Sequence, residues 1–237
     1  YRAMEFRGSA IEELEIEERM TICNMAVEAG AKNGIIAPDQ KTLRYVAERT
    51  SKPFQPIFGD ADAQVHQDYH YNVADLVPGV AQPHAPDQYA PAADLASIKL
   101  DRAYIGSCTG GKLTDFLAAA RILQGRRVRL DTFLVPATRE VEQALYREKI
   151  NQQTLAEIFK EAGCLDIAPP SCAACLGGPP DTFGRTHGRE VVISTTNRNF
   201  IGRMGSKQSP IYLASPLTVA ASAVTGRITD PRELMKG

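Results

Sequence analysis

Cys108 in Gly106-Ser107-Cys108-Thr109, with Cys172 and Cys175 in Ser171-Cys172-Ala173-Ala174-Cys175, are the residues of this chain best suited to chemistry. Thiolates are soft metal ligands. Three of them suit an iron–sulfur cluster that leaves one iron free for a substrate, whereas a structural metal site ordinarily takes four protein ligands. The ligand count therefore separates a Lewis acid from a redox wire.

The Cys-x-x-Cys pair lies between Pro169-Pro170 and Gly177-Gly178-Pro179-Pro180. Breakers on both sides predict a loop whose backbone amides can turn inward on a metal or cluster. A thioredoxin-type pair would instead open a helix directly after a strand. Cys108 falls where a predicted strand ends, before Gly110, Gly111 and a helix. That edge of an open α/β sheet is where ligands bind, and the following helix offers free amide donors. The plainer reading of Cys108 is a small buried thiol at a strand end. A zinc site using Cys172, Cys175 and His187 is a further reading, in which Cys108 is at most a distant fourth ligand. Cys23, inside an apolar helix, and Cys164, after a helix end, read as packing residues.

Two polar groupings accompany the thiols. In Asn197-Arg198-Asn199-Phe200-Ile201-Gly202-Arg203, arginines and asparagines follow a predicted strand, and the glycine permits close backbone approach. Paired, planar donors on arginine suit a di- or tricarboxylate, against the alternative of a polar surface loop. Asn24 and Glu28 are four residues apart on a predicted helix and share a face with Thr21 and Glu17; such a stripe is ordinarily solvated.

The elements that must position these residues read as alternating short strands and amphipathic helices, an α/β fold with mostly parallel strands. Helices are predicted at 17–29, closed by Gly30, and after an Asp39 cap. Others are predicted at 113–123, 138–149, 154–162 and after Ser215-Pro216. Strands are predicted at 34–37, 103–106, 128–135 and 190–195. Prolines crowd the stretch 52–94, so the domain expectation is 1–78 carrying Asn24 and Glu28, a proline-rich linker at 79–96, and a cysteine-bearing domain at 97–237. The chain has 237 residues, 43% of them hydrophobic, and a formal net charge of −1, which gives no electrostatic reason to expect nucleic acid or an anionic membrane as partner. No run reaches the roughly 18 apolar residues of a membrane span. Five cysteines, an odd number, argue for reduced thiols in the cytoplasm over a disulfide framework.

Four ordered motifs, Thr21 to Ala31, Ile105 to Thr109, Cys172 to Cys175 and Asn197 to Arg203, give the sequence a resemblance to the aconitase superfamily. Within it, the chain resembles the large-subunit family of 3-isopropylmalate dehydratases. The resemblance implies two α/β/α layered domains and a [4Fe–4S] cluster held by Cys108, Cys172 and Cys175, with one iron open. It implies Asn197, Arg198 and Arg203 as substrate contacts and Asn24 and Glu28 as catalytic residues, so the stripe would face a cleft. The implied reaction interconverts 2- and 3-isopropylmalate through loss and re-addition of water in leucine biosynthesis, with homoaconitate or dimethylmalate dehydration as alternatives. A small swivel-domain subunit is the implied partner. The family's earlier domain, with its Gly-Thr-Asp-Ser-His-Thr type motif, has no counterpart here, so the chain alone is expected to be inactive. The family's asparagine after Ser-Cys-Thr is Gly110 here, expected to remove a polar contact. A cluster-free RNA-binding relative is the reading from another class, and the charge balance counts against it.

Overall fold

A computed structural model describes residues 1–235, which fall into two compact units, Tyr1–Leu76 and the chain from Val77 onward. In the first, strand β1 (Ala3–Glu5) is followed by helices α1 (Ser9–Glu13) and α2 (Ile16–Met25), strand β2 (Asn33–Ile35) and helix α3 (Gln40–Ala47). β1 and β2 pair in parallel. Arg19 on α2 is 4% exposed and ties the helices together. Its guanidinium donates to the carbonyls of Glu12 at 2.9 Å and Leu14 at 3.1 Å and pairs with Asp39 at 2.7 Å. Asp39 caps α3 by accepting the Thr42 amide at 3.0 Å, as its place in the sequence predicts.

The helix expected at 17–29 is shorter. α2 ends at Met25, and tight turns run to Gly30, whose φ is +85°. The chain leaves the helix early because β2 must return alongside it. A Cβ on Gly34 would stand 2.7 Å from the Cα of Cys23, so this strand lies almost on the helix backbone. Asn24 therefore sits in the last turn of α2, and Glu28 in the turn that follows.

The second unit holds a six-stranded sheet. Its first two strands, β3 (Gly79–Ala81) and β4 (Tyr89–Pro91), form an antiparallel hairpin. They correct the expectation of a linker at 79–96: the prolines occupy the hairpin loop and strand ends of a sheet edge, where a missing N–H costs no ladder bond. Val80 is buried in the core at 1% exposure. Then follow β5 (Arg102–Gly106), the single turn α4 (Ser107–Gly110), α5 (Leu113–Leu123), β6 (Asp131–Val135) and α6 (Arg139–Leu145). A small hairpin of β7 (Lys149–Ile150) and β8 (Gln153–Thr154) leads into α7 (Leu155–Ala162). β9 (Val192–Ser194), β10 (Ile211–Ala214), α8 (Pro216–Thr225) and α9 (Arg232–Met235) complete the order. The cap expected at Ser215 accepts the Thr218 amide; Thr154, predicted as the first residue of its helix, instead caps it by accepting the Glu157 amide; and Gly163 and Gly226 close the two helices with positive φ.

Across the sheet the order is β4-β3-β10-β9-β5-β6, and β10, β9, β5 and β6 run parallel. Side chains alternate between its faces with the strand period. Ala103, Ile105, Leu134 and Ile193 join a core with Phe116, Phe159 and Val219 of α5, α7 and α8. Tyr104, Phe133, Val135, Val192 and Ile211 face the other way, where Ala174 and Met204 from loops cover them. Those loops carry Cys172, Cys175 and Arg203.

Candidate functional site

β5 and β9 are neighbours whose onward connections leave in opposite directions, to β6 and to β10, and in open α/β sheets the carboxyl ends of such a pair are where ligands bind. Both strands deliver predicted site residues there. β5 runs through Gly106 into Ser107, whose φ of +76° is strained for a residue with a side chain, and which is 4% exposed. This turn lifts Cys108 into exposure between two buried neighbours, Ser107 and Thr109.

Thr195, just past β9, locks the turn in place. Its Oγ1 accepts the Gly106 amide at 2.8 Å and lies 2.9 Å and 3.1 Å from the carbonyl oxygens of Gly106 and Gly110. A Cβ on Gly110 would come 2.3 Å from the Thr195 Cβ, so the glycine at this position is what lets Thr195 seat. Lys112 holds the turn from the other side. It is 6% exposed; its ammonium pairs with Asp115 at 2.9 Å and donates to the Thr109 carbonyl, with that of Cys108 at 3.5 Å.

The other two thiols arrive by an extended segment that adds itself to β6. The amides of Leu165 and Ala168 donate to Thr132 and Leu134, each at 3.0 Å. Pro169-Pro170 then stop the pairing and release the chain at the same sheet edge. A short 3-10 turn, Ala174–Leu176, and Gly177 at φ +67° fold the loop back, leaving Cys172 exposed and Cys175 buried. A Cβ on Gly177 would lie 3.1 Å from both the Gly202 carbonyl and the Gly205 amide, so this loop packs backbone to backbone on the Arg203 loop. Arg185 reinforces it by donating from Nε to the Gly178 carbonyl at 2.7 Å.

The thiols sense one another. Burial raises the Cys175 thiol above its ordinary pKa, Arg203 pulls it back through charge and a hydrogen bond, and Cys108 and Cys172 push it up again. Cys108, Cys172, Cys175 and Arg203 thus share one neighbourhood. Two buried donor atoms on its border, the Tyr104 hydroxyl and the Arg203 Nε, have no hydrogen-bond partner among the described residues. Asn197 and Arg198 follow β9 and are half-buried. Asn199 is fully buried and fixes their loop by donating to the carbonyls of Gln82 at 2.7 Å and Ile211 at 3.2 Å. Asn24 and Glu28, both half-buried, belong to the first unit.

Among the described residues, no three His, Cys, Asp or Glu side chains, the three cysteines included, stand close enough together to hold a single metal ion. All five cysteines are free thiols. Cys164 is pushed up to about 12 by burial, and Cys23 is raised by burial as well, in keeping with packing roles. Sequence reasoning missed Tyr104, Lys112 and Thr195. Only Thr195 carried a signal, as a small hydroxyl residue one step beyond a buried strand.

The family model described as "Aconitase family (aconitate hydratase)" matches residues 2–226. The chain is 55% identical, over 100% of its length and 47% of the relative's, to "3-isopropylmalate dehydratase large subunit, chloroplastic" of Arabidopsis thaliana. It is 46% identical to the 3-isopropylmalate dehydratase large subunit of Desulfitobacterium hafniense, covering 99% of this chain and 54% of that protein. A "Probable methanogen homoaconitase large subunit" of Methanosarcina mazei is 44% identical over 99% of this chain and 57% of its own length. The chain therefore spans about half the length of the curated relatives it matches.

Proposed function

We propose, given that this chain belongs to the aconitase family, that it is the cluster-bearing part of the large subunit of a hydro-lyase interconverting 2- and 3-isopropylmalate in leucine biosynthesis. What supports this reading is that Cys108 and the loop of Cys172 and Cys175 are delivered to the same carboxyl edge of one parallel sheet, with Arg203 hydrogen-bonding Cys175. Such a donor set suits a [4Fe–4S] cluster: three soft ligands, a cation to offset the cluster's negative charge, and two partnerless buried donors, Tyr104 Oη and Arg203 Nε, that acceptor sulfurs would satisfy. The group would supply Lewis acidity from an iron without a protein ligand, drawing off a substrate hydroxyl.

The chain's own residues then have assignable tasks. Cys108, Cys172 and Cys175 hold the cluster. The strained Ser107 turn, braced by Thr195 and Lys112, fixes the direction of Cys108. Arg198 and Arg203 offer planar paired donors to substrate carboxylates, and Asn197 adds an amide beside them. Asn24 and Glu28 are assigned to the network that handles the hydroxyl and its proton. A small subunit supplies the remaining acid–base groups, so this chain by itself does not turn over. The free thiols accord with a reducing compartment, which we take to be the cytoplasm, although the name of the Arabidopsis thaliana relative places that protein in the chloroplast.

Anaerobic reconstitution with iron and sulfide tests the reading. About four irons and four acid-labile sulfides per chain are expected. Zinc without labile sulfide would overturn it. The loaded protein, combined with its small subunit, is expected to favour 3-isopropylmalate over homocitrate and citrate; preference for homocitrate would move the assignment to the homoaconitase branch, which the Methanosarcina relative represents.

A further inference from the structure

We infer that the Tyr104 hydroxyl is a buried hydrogen-bond donor held for the sulfur atoms of the group bound by Cys108, Cys172 and Cys175, and that it steadies and tunes that group without ligating it. The inference rests on the cluster reading above.

Tyr104 is the third residue of β5 and is 1% exposed. Strand alternation turns its ring away from the helical core and toward the loop face, against Phe133, Val135, Ala174 and Met204. Two glycines make room for the ring's edges: a Cβ on Gly106 would stand 2.9 Å from its Cε1, and one on Gly184 would stand 2.8 Å from its Cε2.

Yet that hydroxyl has no partner among the described residues. Dry burial of an unpaired hydroxyl is costly, and phenylalanine would fill the same space without the cost. Buried polar groups of this kind are nearly always satisfied, so the missing acceptor is to be sought in what the neighbourhood is built to hold. Tyr104 lines a cavity of about 200 Å³ whose walls include Pro169, Pro170, Ser171 and Ala174, the residues that bracket Cys172. Both Cys175 and Cys172 lie within electrostatic reach of the phenol. Thiolate and sulfide sulfur accept such hydrogen bonds, and donors to these atoms set how tightly and at what potential a cluster is held.

The test compares the wild-type chain with Tyr104→Phe after anaerobic reconstitution. The substitution keeps the ring and its packing, so the variant is expected to load equal iron and labile sulfide. Its iron should pass to a chelator roughly tenfold faster, because a hydrogen bond to a charged acceptor has been removed. Its reduction potential should move to more negative values, because one donor no longer offsets the added charge. Without cluster, the variant should unfold at the same or a higher temperature than wild type, since an unsatisfied hydroxyl is gone. A second readout starts from wild type: its Fe–S stretching bands should shift in D₂O, and that shift should shrink in Tyr104→Phe. Equal chelator rates and potentials in both proteins would overturn the inference, because Tyr104 would then be packing or bonding a cavity water. Wild type that takes up no labile sulfide would instead overturn the cluster reading itself, so the two failures are distinct.

Discussion

Replacing Thr195 by valine isolates the bond set that holds the Cys108 turn to β9. The shape is nearly conserved, and the hydroxyl becomes a methyl group. Thr195 is 3% exposed, so water cannot stand in for the missing hydroxyl. The Gly106 amide, now bonded to Oγ1 at 2.8 Å, would face carbon, and the carbonyls of Gly106 and Gly110 would be deprived of a donor at 2.9 Å and 3.1 Å. Orphaning a buried backbone group costs about 1–3 kcal/mol, and the hydroxyl hydrogen serves one carbonyl at a time, so the sum is about 2–4 kcal/mol. In a chain of this size 1 kcal/mol corresponds to about 2–4 °C, so Thr195→Val should melt roughly 5–12 °C below wild type. Thr195→Ser keeps the hydroxyl and should be destabilised by only about 1 kcal/mol, for one methyl group. Thermal unfolding followed by circular dichroism, with iron and sulfide counted after reconstitution, reads both effects. The valine variant should also load less cluster, since the turn that aims Cys108 is loosened. If the valine and serine variants melt within about 2 °C of each other and load alike, Thr195 does not brace the turn, because a difference of several degrees is expected from the hydroxyl.

Other consequences follow from single residues. Cys108→Ser and Cys172→Ser should each cut iron and labile sulfide to under about a tenth of wild type, because a cluster site with three protein ligands has none to spare, while Cys23→Ser should load normally. In the first unit, the Arg19 hydrogen bond, ahead of the Thr42 amide, holds the Asp39 carboxyl well below the usual carboxylate range. A depressed folded-state value stabilises fully above the unfolded pKa near 3.9 and is lost as pH falls below it. Acid titration of unfolding should therefore show a loss of stability below about pH 4 that Asp39→Asn removes. Because the Asp39 side chain is 37% exposed, the expected size is only about 1 kcal/mol, the range of a capping bond and a solvent-screened pair together.

How much of this could be read along the chain depends on how local each determinant is. The caps at Asp39 and Ser215 are local, and the sequence predicts them. The loop character of Cys172 to Cys175 follows from flanking prolines and glycines in the same way. The hairpin of β3 and β4 was hidden because proline density signals irregular chain, and only pairing with β10 makes Gly79–Ala81 a strand. The end of α2 at Met25 was hidden because it is set by Gly34 pressing on Cys23, an approach with no trace in helical periodicity.

The same distinction runs through the site. The thiols announce themselves by type and spacing, and Arg198 and Arg203 by their motif. The parts that make a ligand set out of three cysteines are non-local: Thr195 reaches Gly106 across 89 residues of sequence, and Tyr104 meets the Cys172 loop only through the alternation of β5. Each looks ordinary in sequence, a strand tyrosine or a polar residue after a strand. Their significance is physical and appears only in burial, where a hydroxyl bonded to three backbone groups is a brace and a hydroxyl bonded to none is held for a ligand atom. Gly110 turns on the same point. In sequence it reads as a polar side chain withheld from the cluster, but in the fold it is the space that Thr195 occupies, so the departure at 110 and the brace at 195 are one feature.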